Sequence, residues 1–221
     1  MNRLIKISTL SVTLFWSSLS VAQVVTPEAP EPTASDDNIT IELSYVGVAV
    51  KLTDAIALQG YGAYGFDDDI GLGLFDAGYT FNEYLSAGGR YQYFYIDGGS
   101  DQHSVWGYVN AQIIVASSWR FDTRQVVEER FSTSGVTRRT RYRPRVRASY
   151  LSSVFDQGYQ LYASIEPILN LTDDDDNQTS YAGGGFLQLT DHLQLNVFYQ
   201  FTVTETGPDF HFPGLGLFAS Y

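Results

Sequence analysis

An alternating run of arginines constrains the fold of this chain more than any other feature. Five arginines occupy every second position from Arg139 to Arg147, and largely apolar residues lie between them. In a β-strand, alternate side chains project from one face, whereas a helix would scatter the five guanidinium groups and place Pro144 in its interior. The run therefore predicts a strand with one cationic face and one apolar face. Such a strand suits a wall between lipid and a polar lumen.

The first 22 residues have the organisation of a secretory signal. Arg3 and Lys6 give a basic start, an apolar stretch follows, and Ser20-Val21-Ala22 fits a small-x-small cleavage site. We therefore expect export and cleavage near Ala22. Residues 23–38 contain three prolines and four acids, which predicts a flexible acidic leader. Residues 39–221 then form one folded domain.

Composition excludes several classes of function. The chain has 25 acidic and 13 basic residues, and two of the bases lie in the predicted signal, so the mature part carries a formal charge of 11 − 25 = −14. This acidity argues against a nucleic-acid partner. There is no cysteine, so disulfides and thiolate metal sites are excluded. The acidic run Asp173–Asp176 lacks the spacing and glycine of a calcium loop. We predict no metal and no cofactor.

From Ile39 onward the chain alternates between apolar and polar residues in segments of about 10–15 residues. In the segment after His192, for example, Leu195 and Val197 would share one face, and Asn196 would lie on the other. Short turns alternate with longer acidic or glycine-rich loops. The pattern predicts an all-β fold, an antiparallel up-and-down transmembrane β-barrel. The final alternation ends on Tyr221, which is typical of barrels inserted by the outer-membrane assembly machinery.

The number of strands is harder to predict than the fold class. Eleven segments alternate, but single-chain bacterial barrels normally have an even number of strands. We therefore predict about twelve strands, with ten as the alternative. Residues 70–80 form the least regular segment. Pro144 and Pro167 lie within predicted strands of a barrel that has no free edge, so we expect local bulges at both.

The three consecutive segments around the arginine run direct many charges to the predicted lumen. The inward arginines are Arg120, Arg124, Arg130, Arg139, Arg141, Arg143, Arg145 and Arg147, and the inward acids are Asp122, Glu128 and Glu166. A hairpin turn near Ser134-Gly135 would align Arg130 with Arg139, Glu128 with Arg141, and Asp122 with Arg147. A second turn would bring Glu166 close to Arg143. The set has a local excess of 8 − 3 = 5 positive charges.

Three hypotheses account for this set of charges. Arginine–carboxylate lattices fill the interiors of small barrels, which predicts a closed structural or surface-interaction barrel. Rings of arginine also select anions in pores, which predicts a narrow, anion-preferring pore for small anionic solutes. In the third hypothesis, acids of the leader fold into the lumen as a plug: Glu28, Glu31, Asp36 and Asp37. We predict the anion-preferring pore, with the closed barrel as the alternative, although the sequence does not separate the three hypotheses.

Enzymatic activity is the least favoured function, and we predict no catalytic residues. His103, His192 and His211 are the only histidines. His103 is expected to face Ser132 on the strand that follows the short turn, with Glu129 pointing outward nearby. This is similar to the Ser–His–Glu site of outer-membrane lipid A deacylases. In those enzymes the serine and histidine lie two apart on one strand. Here Ser104 directly follows His103 and would point the other way.

The stretch from Arg124 to Leu171 resembles the domain-of-unknown-function 2490 family, which are exported bacterial barrels without an assigned activity. It carries an Arg/Glu strand, then the alternating-arginine strand, then a strand ending Ile165-Glu-Pro-Ile-Leu-Asn-Leu171. The resemblance implies a barrel in the outer membrane of a Gram-negative bacterium. Its partners would be outer-membrane lipids and lipopolysaccharide, which Arg138 could meet at the outer rim, and the barrel assembly machinery through Tyr221.

A second resemblance is confined to the segment from Arg141 to Arg147. It is similar to the arginine-lined strands of the oligogalacturonate-specific and sialic-acid porins, which are twelve-stranded and conduct acidic sugars. The resemblance implies a stepwise electrostatic track of arginines, with facing carboxylates that keep binding weak enough for release.

Overall fold

The computed structural model describes residues 39–65, 70–96, 101–115, 118–133, 138–154, 157–172 and 177–221. Within them the strands are β1 Ile39–Thr40, β2 Leu43–Lys51, β3 Ile56–Gly65, β4 Ile70–Asn82, β5 Leu85–Ile96, β6 Gln102–Val115, β7 Trp119–Ser132, β8 Arg138–Val154, β9 Gln157–Asn170, β10 Gln178–Thr190, β11 Leu193–Thr204 and β12 Phe210–Ser220. No helix in these ranges is long and apolar enough to cross a bilayer. The predicted signal, the leader and Asp173–Asp176 lie outside them.

The strands form a single closed sheet, which confirms the predicted fold class. From β2 to β12 each strand pairs antiparallel with the next along the chain, and β12 then pairs parallel with β2. The two-residue β1 also lies parallel to β12, so it shares that neighbour with β2. Eleven strands of the described chain therefore encircle the barrel, rather than twelve or ten. The odd number is possible because a parallel pair closes the sheet.

The connections fall at two distinct ends of the barrel. We call one end the long-loop end, where β3, β5, β7, β9 and β11 finish, and the other the short-turn end, where β2, β4, β6, β8 and β10 finish. Since the strand count is odd, β2 and β12 run in the same direction. The barrel wall thus begins at the long-loop end with Ile39 and finishes at the short-turn end with Ser220.

The two faces of the wall differ sharply in polarity. On β11, Val197 and Tyr199 point outward and are about half exposed, while Asn196 and Gln200 point inward and are buried. Large apolar side chains dominate the outer surface of the described strands, and buried polar side chains line much of the interior. An apolar exterior around a polar interior is the arrangement that a bilayer requires of a barrel.

The two prolines that were expected to need bulges oppose each other without one. The β8–β9 ladder pairs Tyr142 with Leu169, and after a gap it resumes in the same register with Val146 and Ile165. Pro144 and Pro167 occupy equivalent positions in that gap. The predicted bulges are therefore wrong. A ladder tolerates the pair because two residues that lack N–H donors meet at one interrupted site instead of interrupting two.

Inward aromatic rings lie directly over inward glycines on the wall formed by β10–β12, β2 and β3. A Cβ added at Gly216 would lie 2.2 Å from the Tyr45 ring, and one at Gly214 would lie 2.1 Å from the Phe198 ring. Phe218 covers Gly47 in the same way. The rings of Tyr45 and Phe198 also contact each other, with centroids 5.9 Å apart. Glycine is required at these positions because the rings approach the backbone too closely for any side chain.

A cluster of apolar side chains fills the long-loop end of the interior. Its members include Ile41, Leu43, Ile70, Leu72, Phe94, Phe210 and Phe212. They come from the first residues of β2, β4 and β12, the end of β5, and the segment just before β2. All are at most 6% exposed. We call this group the apolar seal.

Candidate functional site: the arginine lattice inside the barrel

The predicted lumen residues lie on three adjacent strands and project inward. The arginines are Arg120, Arg124 and Arg130 on β7 and Arg139, Arg141, Arg143, Arg145 and Arg147 on β8; the acids are Asp122 and Glu128 on β7 and Glu166 on β9. All are at most 8% exposed except Arg139, which is half-buried. The three cross-strand alignments predicted from the hairpin turn are confirmed: Arg130 with Arg139, Glu128 with Arg141, and Asp122 with Arg147.

Glu166 and Glu128 organise the central part of the lattice. One oxygen of Glu166 accepts from the Arg143 Nε at 2.7 Å, and the other accepts from Arg124 at 2.7 Å. Arg143 also contacts Glu128 at 3.1 Å, and Arg130 lies 3.6 Å from the same carboxylate. The predicted approach of Glu166 to Arg143 is therefore confirmed. Because a carboxylate accepts from several guanidinium groups, each acid here serves two arginines.

A tryptophan that sequence reasoning did not single out lies at the centre of the lattice. Trp106 on β6 is 2% exposed, and its indole Nε1 donates to the Ser104 Oγ at 3.0 Å. Three guanidinium groups lie over its ring, with centroid distances of 4.4 Å for Arg143, 4.7 Å for Arg90 and 5.5 Å for Arg124. The negative face of the indole thus attracts these three guanidinium groups by cation–π interaction, in addition to their ion pairs with carboxylates.

A second buried pair extends the lattice to β4 and β5, and it was also missed. The Arg90 Nε donates to Asp76 at 2.9 Å, and the Tyr108 hydroxyl donates to the other oxygen of that carboxylate at 2.6 Å. Asp76 and Arg90 are direct partners in the β4–β5 hairpin. Counting outward from the turn at 83–84 would have aligned Asp76 with Tyr91 instead, because the ladder shifts register between Thr80 and Asn82.

The short-turn part of the lattice has fewer acceptors. Asp122 accepts from Arg145 at 3.1 Å and from the Arg147 Nε at 2.8 Å. Arg120 donates to the Gln160 side chain at 3.3 Å. Three buried arginines therefore surround one carboxylate. Counting the whole described interior, nine inward arginines meet four inward acids once Arg90 and Asp76 are added.

The residues considered for hydrolysis are not assembled into such a site. His103 lies opposite Phe131 rather than Ser132, so that prediction is wrong by one residue. Its ring stacks on Phe131 at 5.3 Å on the outer surface, and its Nδ1 lies 2.6 Å from the Tyr91 hydroxyl. Ser104 is buried on the opposite face. Within the described ranges, no group of three His, Asp or Glu side chains is placed to hold a metal ion.

The remaining predicted contacts lie at the two rims. Arg138 points outward at the long-loop end and pairs with Glu129 at 2.8 Å. At the short-turn end, the Tyr221 ring stacks on His192 with centroids 5.5 Å apart, and the Tyr221 carbonyl accepts from the Lys51 N–H at 2.8 Å. The final residue of the sequence is therefore tied to the seam between β12 and β2.

Comparison with solved structures gives similarity to barrels of low identity. The first is described as "Outer-membrane expressed OmpT of Vibrio cholerae", with 12% identity, 69% of this chain and 52% of that chain covered, and a TM-score of 0.41. The second is its loop L8 deletion mutant, with 12% identity, coverage of 72% and 57%, and a TM-score of 0.40. This chain spans a little over half the length of either protein. Comparison with curated proteins gives no match.

Comparison with protein families gives a match to the arginine-bearing region. The profile described as "Protein of unknown function (DUF2490)" matches residues 74–209, from β4 to the residue before β12. The match includes all the strands that carry the lattice and spans more than half of the chain. This closed, arginine-filled barrel belongs to the DUF2490 family.

Proposed function

We propose that this chain is a non-conducting barrel of the bacterial outer membrane, a closed scaffold whose charged interior holds the wall rigid and whose long loops face the outside. The observation that carries the proposal is the burial of the lattice. Arg141 and Arg143 are at most 1% exposed, as are Arg124 and Glu128. A water-filled, anion-conducting lumen would leave its selecting guanidinium groups hydrated.

Energetics favour a structural role for the paired charges. A charge moved from water to a protein interior is costly unless it is paired and hydrogen-bonded. Arg143 meets both Glu166 and Glu128 and also lies over Trp106, so its desolvation is offset from three sides. An arrangement this complete fixes β7, β8 and β9 relative to β6. It leaves the central arginines without a free face for a passing solute.

The apolar seal supports the same conclusion from the other end of the barrel. Phe94, Phe210 and Phe212 are at most 4% exposed and lie on strand segments at the long-loop end. An apolar constriction opposes ion passage because it favours loss of water from the path.

Conductance in a planar bilayer tests the proposal. The refolded mature chain should insert and remain electrically silent, and the triple variant Arg141→Gln, Arg143→Gln, Arg145→Gln should mainly lower the melting temperature. The matched control is Arg138→Gln, which removes an arginine from the rim and should leave the melting temperature unchanged. Stable openings with a reversal potential that favours chloride, lost in the triple variant, would contradict a closed barrel.

The narrow, anion-preferring pore remains the second candidate, because one observation favours it. Nine inward arginines against four acids leave an excess of five positive charges in the described interior. A purely structural filling has no need of that excess, whereas an anion track does. The conductance measurement above separates the two candidates. The pore predicts stable openings that favour chloride, whereas the closed barrel predicts none.

The partners follow from the rims of the barrel. We propose that the long-loop end faces lipopolysaccharide, with Arg138 beside its phosphates, and that the strand ending in Tyr221 is the segment presented to the assembly machinery. The apolar outer face supports contact with outer-membrane lipids. Mature protein that stays dissolved without detergent would contradict the membrane assignment.

A further inference from the structure

We infer that the short-turn end of the barrel contains a blind binding site for a small anion, formed by Arg120, Arg145 and Arg147 around Asp122. The ligand is a single negatively charged group of the size of chloride or a carboxylate, and it enters from the short-turn end. This site is distinct from the closed-scaffold function and does not depend on whether the barrel conducts.

The first observation is the imbalance of charge at this site. Three guanidinium groups, each at most 5% exposed, lie around one carboxylate that is 8% exposed. Asp122 gives one oxygen to Arg145 and the other to Arg147, and Arg120 has only the neutral Gln160 as its acceptor in the described structure. Two positive charges are therefore left over in a buried place, where an uncompensated charge is costly. A bound anion offsets them.

The second observation is a set of buried donors that lack acceptors. The Nε atoms of Arg120 and Arg145 and the hydroxyl of Tyr162 are buried, and in the described structure none of them has a hydrogen-bond partner. Such groups are rare in folded proteins, and each one is a polar atom whose partner the described chain does not supply. Donors without acceptors call for a ligand rich in lone pairs. A negatively charged oxygen or halide supplies these and the missing charge together.

The third observation is the space beside two of these donors, Arg145 and Tyr162, and beside Arg147. An inner cavity of about 10 Å³ is lined by Arg145, Arg147 and Tyr162, among others, and a mouth cavity of about 30 Å³ is lined by Asp122 and Arg147. The mouth cavity is also lined by Asn82 and Tyr84, next to and within the turn at the short-turn end. Arg147 lines both cavities, so it lies on the way from the mouth to the inner cavity.

The size of the cavities limits what can bind. A single water needs about 10–15 Å³ of such space, so the inner cavity admits one group and the mouth admits about two. A sugar ring or a nucleotide is excluded, whereas chloride or one carboxylate fits. Glu166 also lines the inner cavity. Its oxygens are already bonded to Arg143 and Arg124, so its single charge is shared with those two arginines.

Thermal unfolding in detergent micelles tests the site, with chloride or acetate compared with the bulky anion 2-morpholinoethanesulfonate at equal ionic strength. A ligand that binds only the folded state raises the melting temperature with its concentration, and we expect a rise of about 3 °C or more for chloride and acetate. The rise should be lost in Arg147→Gln and in Ala182→Leu, which keeps every arginine but fills the inner cavity that Ala182 lines. Arg138→Gln should retain it.

Two outcomes would overturn the site. One is equal melting temperatures in chloride, acetate and the sulfonate for the unmodified chain. The other is a chloride effect that survives in Arg147→Gln and Ala182→Leu. If neither variant folds, the chloride NMR line width of the unmodified chain decides: broadening that acetate reverses supports the site, and an unaffected line overturns it. Bilayer conductance is not part of this measurement, so failure here leaves the closed-scaffold proposal standing.

Discussion

Opposite walls of this barrel are held together by different kinds of interaction. The wall of β6–β9 is joined by ion pairs and by guanidinium groups stacked on Trp106, whereas the wall of β10–β12, β2 and β3 is joined by aromatic rings packed on glycines. The first wall needs every partner to be present, because a buried charge without its partner is strongly destabilising. The second wall needs glycine beneath each ring, because a Cβ there would clash with it. Deleting a group should therefore damage the charged wall, and adding one should damage the aromatic wall.

The largest expected effect is the loss of the carboxylate that serves two arginines. Glu166→Gln leaves Arg124 and Arg143 without their strongest partner in a buried site, and the free energy of unfolding should fall by about 3–5 kcal/mol. Unfolding by guanidinium chloride in detergent micelles measures this fall. The matched control, Glu129→Gln, makes the same change at the outer rim and should alter the midpoint little. Equal losses in the two variants would show that burial does not set the cost.

Adding a methyl group tests the aromatic wall. Gly216→Ala places a Cβ about where the Tyr45 ring lies, so unfolding should become easier by about 1–3 kcal/mol through overpacking. Gly73→Ala is the control, because nothing lies within 4 Å of a Cβ there. Combining Gly216→Ala with Tyr45→Leu should recover part of the loss. An additive loss in the double variant would mean that the ring contact is not the cause.

A smaller loss of stability is expected when the indole beneath the arginines is replaced by a phenyl ring. Trp106→Phe keeps an aromatic face but weakens its attraction for three cations and removes the donor to Ser104, so we expect a loss of about 1 kcal/mol. Trp119→Phe is the control, since Trp119 points outward at the short-turn end and is 45% exposed. The same unfolding measurement applies. A greater loss of stability in Trp119→Phe than in Trp106→Phe would mean that the outer surface contributes more to stability than the contacts of Trp106 with the arginines.

The charged wall was the more predictable of the two because its information is local in sequence. Alternation fixed the face of each arginine, and a hairpin turn fixed which residues of β7 and β8 meet. Asp76 escaped because β4 begins with inward apolar residues that mask the phase: Ile70 and Leu72 of the apolar seal, and then Leu74. A sequence rule that expects polar residues inside a barrel fails where the interior is sealed.

The features that escaped prediction depend on contacts between distant parts of the chain. Tyr45 lies over Gly216, about three-quarters of the chain away, and no local pattern links them. The odd number of encircling strands escaped for the same reason, since closure depends on β12 meeting β2 in parallel. The opposed prolines illustrate the limit within one hairpin: each alone argues for a bulge, and only their pairing removes the need for it.

The smallest expected effect belongs to the Arg138–Glu129 ion pair. It has the same chemistry as the lattice pairs, but it lies at the exposed rim. Arg138 and Glu129 lie 2.8 Å apart, but the Arg138 side chain is 80% exposed. Water and salt screen such a pair, and the cost of fixing two long side chains offsets most of its attraction. Arg138→Gln should therefore leave the unfolding midpoint unchanged at high salt and nearly so at low salt. A loss that approaches that of Glu166→Gln would mean that the rim is dry in the membrane-inserted barrel, for instance because lipid headgroups cover it. Burial would then no longer explain why lattice ion pairs cost more to break than the rim pair. The two walls would differ only in the chemistry of their contacts, ion pairs on one and rings on glycines on the other.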